Sequence, residues 1–259
     1  MQEKSRLGGS ADWAGLLLNR EHPNERPAML QTWHDLVFLH ARVPVERLQA
    51  LVPSSLTVEE FDGSGWLGFV PFSMSSIRPP WFPAMPWLSA FHETNLRTYV
   101  THPEHGPGVW FFSLEAARYL ACLFARVAFQ LPYFHASMSG EAYRYEGRRR
   151  GFQLLPNLPF SMSELQSYAV EARRTGEWRE ATPETFEFWL VERYRLYSGG
   201  EALTTAQVHH EPYMVADGAV DRLEIAGLEP QFGTLDFSSV LVAKTLNVQC
   251  FAPRRVRSS

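Results

Sequence analysis

Alternating apolar and polar residues predict a chain built mainly from β-strands. Runs of strand-forming residues recur along it, bounded by glycine, proline or other turn residues. We predict strands at residues 36–43, 56–61, 65–72, 91–100, 109–114, 134–140, 141–148, 167–173, 202–209 and 240–251. The Asp62-Gly63 pair between the second and third of these is typical of a hairpin turn.

Helical periodicity is confined to three short stretches. We predict helices over residues 45–51, over 115–130, where apolar residues form one broad face, and from Thr182 to about Tyr194. Strands on both sides of these helices favour an α+β fold, mainly β, on one large antiparallel sheet or barrel. We expect residues 29–259 to form this single domain, after a polar lead-in over residues 1–28 that is loose or draped on the surface.

Composition narrows the classes of function. The formal net charge of −4 argues against a general nucleic-acid-binding protein. The apolar runs are too short for a transmembrane helix, and the N-terminus lacks the apolar segment of a secretory signal. Two cysteines, Cys122 and Cys250, cannot form a disulfide framework and indicate a reduced, cytoplasmic protein. Assembly into a homo-oligomer stays open.

Two motifs that suggest a cofactor have simpler explanations. The glycines Gly63, Gly65 and Gly68 have the spacing of a dinucleotide-binding turn, but strand-like residues follow where a helix is required. His209 and His210 are neighbours on a predicted strand, so their side chains point to opposite faces and cannot easily share an ion. We therefore expect no metal and no nucleotide cofactor.

The most informative segment is the predicted strand 91–100. Its period of two places Glu93, Asn95, Arg97 and Tyr99 on one face. A row of a carboxylate, an amide and a guanidinium suits a solvated outer face. It also suits the interior of a barrel, where these groups must bind one another or a ligand. Alternation alone does not decide between the two.

Most of the chain resembles the YqjF-like family of uncharacterised bacterial proteins. The segments that carry this resemblance occur in the same order: Trp33–His40, Val43–Pro53, Phe61–Phe72, Glu93–Val100, Gly108–Ala116, Leu131–Phe134, Glu192–Tyr197 and Phe251–Val256. That family is similar to the acetoacetate decarboxylase superfamily. The resemblance implies a large, cone-like antiparallel β-barrel with a ligand cavity, into which Glu93, Asn95 and Arg97 would point.

The superfamily uses a lysine that forms an imine with its substrate, and no lysine occupies the corresponding region here. That region, Ser113–Tyr133, contains Arg118 and Arg126 instead. A guanidinium stays protonated and cannot replace a nucleophilic amine. The lysines of the chain are Lys4, in the polar lead-in, and Lys244, on the last predicted strand. We therefore do not expect Schiff-base chemistry.

We expect a barrel cavity that holds a small organic ligand, a carboxylate or an oxo-acid. Arg97 would bind the anionic group, Asn95 would orient it, and Glu93 would act as an acid or base. Further candidate ligand contacts are Tyr99, Trp66, Phe111, Ser113, Arg78 and His209. The sequence leaves three readings open: lyase or proton-transfer chemistry, binding or sensing without catalysis, and a structural barrel with a filled interior.

Overall fold

Sixteen strands and four helices make up the described part of the chain. The computed structural model describes residues 11–84, 89–118, 131–150, 164–199 and 202–256. The strands are β1 Met29–His34, β2 Leu36–Val43, β3 Thr57–Val58, β4 Gly65–Arg78, β5 Phe91–His102, β6 Gly106–Ala116, β7 Tyr133–Glu141, β8 Arg144–Arg149, β9 Ser167–Arg174, β10 Arg179–Glu180, β11 Arg195–Gly199, β12 Leu203–His209, β13 Met214–Ala226, β14 Ser239–Ala243, β15 Leu246–Cys250 and β16 Arg254–Arg255. The helices are α1 Trp13–Asn19, α2 Val45–Gln49, α3 Phe186–Val191 and α4 Glu229–Phe232.

The strands form one mixed sheet, whose pairings return to β4 by two routes. In the first ring, β4, β5, β6, β11, β12, β15 and β1 pair in that order, and β1 pairs with β4. In the second ring, β6 leads through β7, β8, β9, β13, β14 and β2 back to β4. Strands β4, β5 and β6 are shared, so each of them has one face toward either ring.

Apolar side chains pack the second ring. Phe69, Leu96 and Phe112 project into it from the shared strands, and Val170 and Val242 meet them from β9 and β14. Along the shared strands these residues alternate with side chains that face the first ring. One apolar core therefore lies on this side of β4–β6. The other side carries a second apolar cluster, which includes Val70, Phe72 and Tyr99.

Most of the predicted strands are confirmed, and the differences have local causes. The predicted strand 240–251 is two strands, because β14 pairs with β2 and β15 pairs with β1. The predicted hairpin is wrong beyond its turn. Asp62 and Gly63 have positive φ and Phe61 bridges to Ser64, but β3 pairs with β5. Strand β13 is an addition, and its pairing with β9 shifts register between Val220 and Arg222.

The helix predicted over residues 115–130 is wrong at its start. Glu115 and Ala116 continue β6, where they pair with β5 and β7. Residues 119–130 lie outside the described residues. The helix predicted from Thr182 is the shorter α3, which the Thr185 hydroxyl caps by accepting a hydrogen bond from the Phe188 N–H.

Part of the polar lead-in is ordered against the sheet. Leu16 of α1 is buried, and the Asn19 side-chain amide donates a hydrogen bond to the Pro107 carbonyl at 2.9 Å. These contacts place α1 beside the start of β6. Across the described ranges, none of the helices has the length and apolar character needed to cross a membrane.

Candidate functional site

A cavity of about 640 Å³ lies within the first ring. Strands of that ring supply most of its walls, with further side chains from β2 and from the segment after α3. Most of the lining is apolar, and it includes Trp33, Phe38, Val70, Phe72, Met74, Phe91, Phe111, Leu114, Leu131 and Phe251. The volume falls in the range of small-molecule sites, about 300–1,000 Å³, which share this largely apolar character.

Three polar side chains of β5 enter this cavity as one row. Glu93, Asn95 and Arg97 alternate with second-ring residues, and they are only 4%, 7% and 7% exposed. They pair across β4 with Phe72, Val70 and Gly68. The row thus runs along one wall, beginning beside the half-buried Phe91 and ending at Arg97.

Helix α3 closes the cavity at the Arg97 end. Its Trp189 packs on Tyr99, with ring centroids 4.6 Å apart, and its Phe186 packs on Trp66 at 4.5 Å. The Leu190 carbonyl near the end of α3 accepts hydrogen bonds from Arg97 Nη2 at 3.3 Å and from Tyr99 Oη at 3.0 Å. Arg97, the cationic group of the row, therefore lies where the row meets the wall formed by α3.

The guanidinium of Arg97 has no acidic partner in the described part of the chain. The ion pairs there do not include it, and its Nε is buried without a hydrogen-bond partner. Its Cζ lies 5.5 Å from the Phe38 ring centroid and 5.7 Å from that of Tyr99. Burial of a charge without a counter-ion is unfavourable. This end of the cavity is therefore suited to an anion.

His40 does not neutralise or add to that charge. Its Nε2 lies 2.7 Å from Tyr99 Oη, which itself donates to Leu190, so His40 is the donor in the first contact. Burial, with Arg97 and Arg193 nearby, holds the pKa of His40 well below its ordinary value. His40 is thus a neutral side chain that orients Tyr99 beneath the guanidinium.

Gly68 makes room for this arrangement. It pairs with both His40 and Arg97, and an added Cβ would lie 3.2 Å from Arg97 Cγ and 3.3 Å from His40 Cδ2. Contacts that short would force one of the neighbours to move. Gly68 is the third glycine with the spacing of a dinucleotide-binding turn. It lies within β4, where it makes room for His40 and Arg97 and forms no such turn.

Glu93 has a different environment from Arg97. Tyr133 Oη donates a hydrogen bond to Glu93 Oε2 at 2.8 Å. Burial raises the pKa of Glu93 to about 8; the Tyr133 hydrogen bond opposes this shift and the nearby Glu115 carboxylate adds to it. Glu93 is therefore largely protonated at neutral pH. A buried carboxyl with such a pKa can give or take a proton near pH 7.

Two further arginines line the cavity after α3. Arg193 pairs with Glu59 at 2.7 Å, and its Cζ lies 4.7 Å from the ring centroids of both Tyr99 and Trp189. Arg195 donates hydrogen bonds to Asn19 Oδ1 at 3.1 Å and Thr205 Oγ1 at 3.3 Å. These contacts fix both side chains, so they contribute positive charge from set positions, while Arg97 lacks an acidic partner among the described residues.

The structure brings together five of the nine candidate residues. Glu93, Asn95, Arg97, Phe111 and Arg78 line the cavity. Arg78 is half-buried and donates to the Pro80 carbonyl at 3.3 Å, at the end of β4 that extends past Phe91. It is therefore far along the strand from Arg97.

The other four candidates do not line the cavity. Tyr99 and Trp66 share the correct face but lie under α3. Ser113 points away from the cavity because of a bulge in β6. Leu96 pairs with Ser113 and Arg97 pairs with Phe111, so Phe112 is left without a partner on β5. The Ser113 hydroxyl donates a hydrogen bond to Glu115. His209 follows the cavity-lining Val208 and so faces the other way, against His22.

Sequence reasoning missed several lining side chains, among them Tyr133, Arg193, Tyr194, Arg195, Tyr213 and Cys250. Arg193, Tyr194 and Arg195 belong to the Glu192–Tyr197 segment that carried the family resemblance, which was the available signal. Tyr194 Oη donates to Glu192 Oε2 at 2.5 Å, and Glu192 Oε1 accepts from the Tyr213 N–H. The buried Glu192 therefore positions two of these tyrosines.

Neither a lysine nor a metal-binding cluster is found at the cavity within the described ranges. Lys244 is exposed, with its Nζ 5.2 Å from the Trp178 ring centroid, and Lys4 lies outside the described residues. No three His, Cys, Asp or Glu side chains of the described residues lie close enough to hold a metal ion. The polar side chains of the described lining are its arginines, its tyrosines, Gln31, Gln207, Asn95, Glu93 and Cys250.

Comparison with known proteins supports the family and the fold. Residues 30–246 match the model of DUF2071, described as an uncharacterized conserved protein. The chain is 35% identical over 198 residues to Uncharacterized protein YqjF of Bacillus subtilis strain 168, which covers 74% of this chain and 77% of that protein. The predicted resemblance to YqjF-like proteins is thus confirmed.

Solved structures share the fold at low sequence identity. An acetoacetate decarboxylase-like enzyme from Sphingomonas wittichii RW1 is similar with a TM-score of 0.60 and 12% identity, over 91% of this chain and 95% of that one. The enduracididine biosynthesis enzyme MppR complexed with pyruvate is similar with a TM-score of 0.53 and 13% identity, over 91% and 93% of the two chains. The predicted fold class, mainly β and acetoacetate decarboxylase-like, is confirmed.

Proposed function

Because the chain belongs to the DUF2071 family of uncharacterized conserved proteins, we propose its function from the cavity: it binds a small organic carboxylate on Arg97. The observation that carries this proposal is a buried guanidinium that lines the cavity and lacks an anionic partner among the described residues. A carboxylate matches the planar fork of a guanidinium and can accept two parallel hydrogen bonds from it.

The rest of the cavity is consistent with a carboxylate bound without an imine. Arg193, Arg195 and Arg78 add positive charge to the lining, and the raised pKa of Glu93 keeps its carboxyl from opposing an anion near neutral pH. The described lining contains no lysine. The similar structure of MppR is complexed with pyruvate, itself a carboxylate. Ion pairing and apolar contact are therefore the binding forces that this cavity offers.

Calorimetric titration with a panel of monocarboxylates tests the proposal. Arg97→Ala should weaken binding about 10- to 100-fold, the loss of a hydrogen-bonded charge pair. Arg173→Ala, in an exposed ion pair of β9, is the matched control and should bind as the wild type does. Equal affinity of the wild type and Arg97→Ala, or loss of binding in Arg78→Ala alone, would show that Arg97 is not the anchor.

A second function, proton transfer to and from the bound acid, is favoured by Glu93. In its ionised form Glu93 would take a proton from the carbon beside a ketone and leave an enolate. The neutral acid would then exchange that proton with solvent and return one to the same carbon, which restores the ketone and the carboxylate. The adjacent Asn95 has a buried Oδ1 without a partner, so its amide is free to contact the ligand. We propose Glu93 as the acid–base group of this reaction.

Deuterium exchange into oxo-acids detects that reaction directly. The protein is incubated in heavy water with a panel from 2-oxobutanoate to 9-oxodecanoate, and proton NMR follows the hydrogens next to the ketone. Exchange by the wild type and its loss in Glu93→Gln support proton transfer. Binding without exchange assigns the protein to the second reading, a binding or sensing protein.

A further inference from the structure

We infer that the ligand is an elongated, largely apolar monocarboxylate that carries a hydrogen-bond acceptor at the end far from its carboxylate. This inference rests on the proposed function for the carboxylate end and adds the length and the second polar group. It depends on where Arg97 and Glu93 lie along β5, on what separates them, and on how much space the cavity holds.

The separation of the two groups sets the length. Arg97 and Glu93 are four residues apart on one strand, so their Cα atoms are roughly 13 Å apart at ~3.3 Å per residue. Arg97 marks the end that α3 closes, and Glu93 lies toward the half-buried Phe91. An extended chain advances about 1.2 Å per bond, as the polypeptide does. A ligand that reaches both groups therefore has roughly ten bonds.

The walls between the two groups set the character of the ligand body. Apart from the Asn95 amide, the side chains opposite this stretch on β4 and β6 are apolar: Val70, Phe72, Phe111 and Leu114. Phe38 and Trp33 add aromatic surface. A body with charges or many hydroxyl groups would leave them without partners here, at a cost. A hydrocarbon or aromatic body is matched to this lining.

The Glu93 end supplies a hydrogen-bond donor. Tyr133 already donates to Oε2, and the protonated carboxyl then carries a hydrogen that it can donate to the ligand. Cys250 and Leu131 lie at the same end of the lining and offer little competition as acceptors. A ketone, ester or similar acceptor is therefore the group that this end recognises.

The volume excludes a very small acid as a complete occupant. A cavity of about 640 Å³ corresponds to roughly twenty water molecules at ~30 Å³ each. A three- or four-carbon acid on Arg97 would fill a minor part of it and would leave Glu93 out of reach. A ligand of ten or more carbon atoms reaches both ends and fills a larger part of that volume.

Four acids distinguish the effect of ligand length on affinity from the effect of the second polar group. They are pentanoate, decanoate, 4-oxopentanoate and 9-oxodecanoate, each titrated calorimetrically into the whole protein. Decanoate should bind at least 10-fold tighter than pentanoate, because the added methylenes are buried against apolar walls. The ketone should improve the affinity of the ten-carbon acid several-fold and should give the five-carbon acid no such gain. Glu93→Leu should remove the gain from the ketone, so that 9-oxodecanoate binds this variant no tighter than decanoate does.

Each result bears on a different part of the inference. If pentanoate binds as tightly as decanoate and both depend on Arg97, the proposed function stands and the elongated ligand is overturned. If decanoate is preferred but the ketone adds nothing, or Glu93→Leu keeps its advantage, the second polar end is overturned. If none of the four acids binds, the proposed function fails, and this inference fails with it.

Discussion

Strand β5 has two buried faces, and the polar side chains on these faces differ in the partners that each ring gives them. On the face toward the second ring, the hydroxyl oxygens of Thr94 and Tyr168 are 2.5 Å apart. In the same ring Arg149 donates to the buried carboxylate of Glu115, and its guanidinium lies 3.7 Å from the Phe134 ring centroid. Thr94, Tyr168, Arg149 and Glu115 thus each have a polar partner within the protein, and the carboxylate of Glu115 has a cation.

The face toward the first ring also carries an arginine and a glutamate, but these two side chains do not pair with each other. Arg97 lacks an acid among the described residues, Asn95 Oδ1 lacks a partner, and the partner of Glu93 is the Tyr133 hydroxyl. Glu93 and Arg97, which could have neutralised each other, are instead separated along the strand. Buried polar groups whose hydrogen bonds and charges are satisfied within the protein stabilise its fold. Buried polar groups that line a cavity without such partners indicate where a ligand can supply them.

The largest expected effect compares the two buried arginines. Arg149→Ala leaves the Glu115 carboxylate buried without its cation, and it should lower the free energy of unfolding by about 3–5 kcal/mol. Arg97→Ala removes a charge that is already unpaired, so it should leave stability unchanged or raise it. Urea denaturation measures both. An equal loss in the two variants would mean that Arg97 has a protein counter-ion after all.

The next largest effect is the pH dependence of the free energy of unfolding that Glu93 contributes. The pKa of Glu93 is raised from 4.5 to about 8, so between these values the native state binds a proton that the unfolded state has released. Stability should therefore fall as pH rises through this window, by up to about 1.4 kcal/mol per pH unit from this group.

The matching variant is Glu93→Gln, which should remove this contribution and flatten the dependence relative to the wild type. The buried Glu115, Glu59 and Glu192 also have raised pKa values, so the difference between the two proteins is the quantity to follow. Glu146→Gln, at an exposed glutamate, is the control. Parallel curves for Glu93→Gln and the wild type would contradict the protonated Glu93.

The smallest expected effect concerns the glycine between His40 and Arg97. Gly68→Ala should displace the Arg97 side chain by a few tenths of an ångström and weaken carboxylate binding a few-fold. Gly65→Ala, whose Cβ would meet Leu48 Cδ1 at 2.7 Å, should lower stability by about 1–3 kcal/mol and leave affinity alone. Unfolding curves and carboxylate titrations compare the two. Weaker binding in Gly65→Ala only would contradict the role given to Gly68.

Local alternation was sufficient to predict the central row of the site. Glu93, Asn95 and Arg97 share a face because the pairing of β5 with β4 is regular from Phe91 to Thr98, and the same rule predicted the strands on either side of it. Alternation did not predict which face would be hollow. That depends on β1, β11, β12 and β15, which close the first ring from distant parts of the chain.

The residues placed wrongly show what a local pattern lacks. Ser113 has the parity of Phe111, but the bulge at Phe112 turns it toward Glu115. Trp66 and Tyr99 have the parity of the row, but α3 packs over them. Its contacts come from 120 residues along the chain for Trp66 and 90 for Tyr99, and no local pattern contains such contacts. Of the two possibilities left open for an inward-facing row, pairing of Glu93 with Arg97 does not occur, because side chains four residues apart on a strand do not meet.

A crystal structure with 10-bromodecanoate bound decides whether Arg97 holds the carboxylate. The anomalous signal of bromine locates the tail independently of the weaker density of the chain. We expect the carboxylate oxygens about 2.7–2.9 Å from the Arg97 guanidinium and the bromine beside Glu93 and Tyr133. A carboxylate on Arg78 with the bromine against α3, or an acid bound outside the first ring, would contradict the assignment of Arg97 as the anchor.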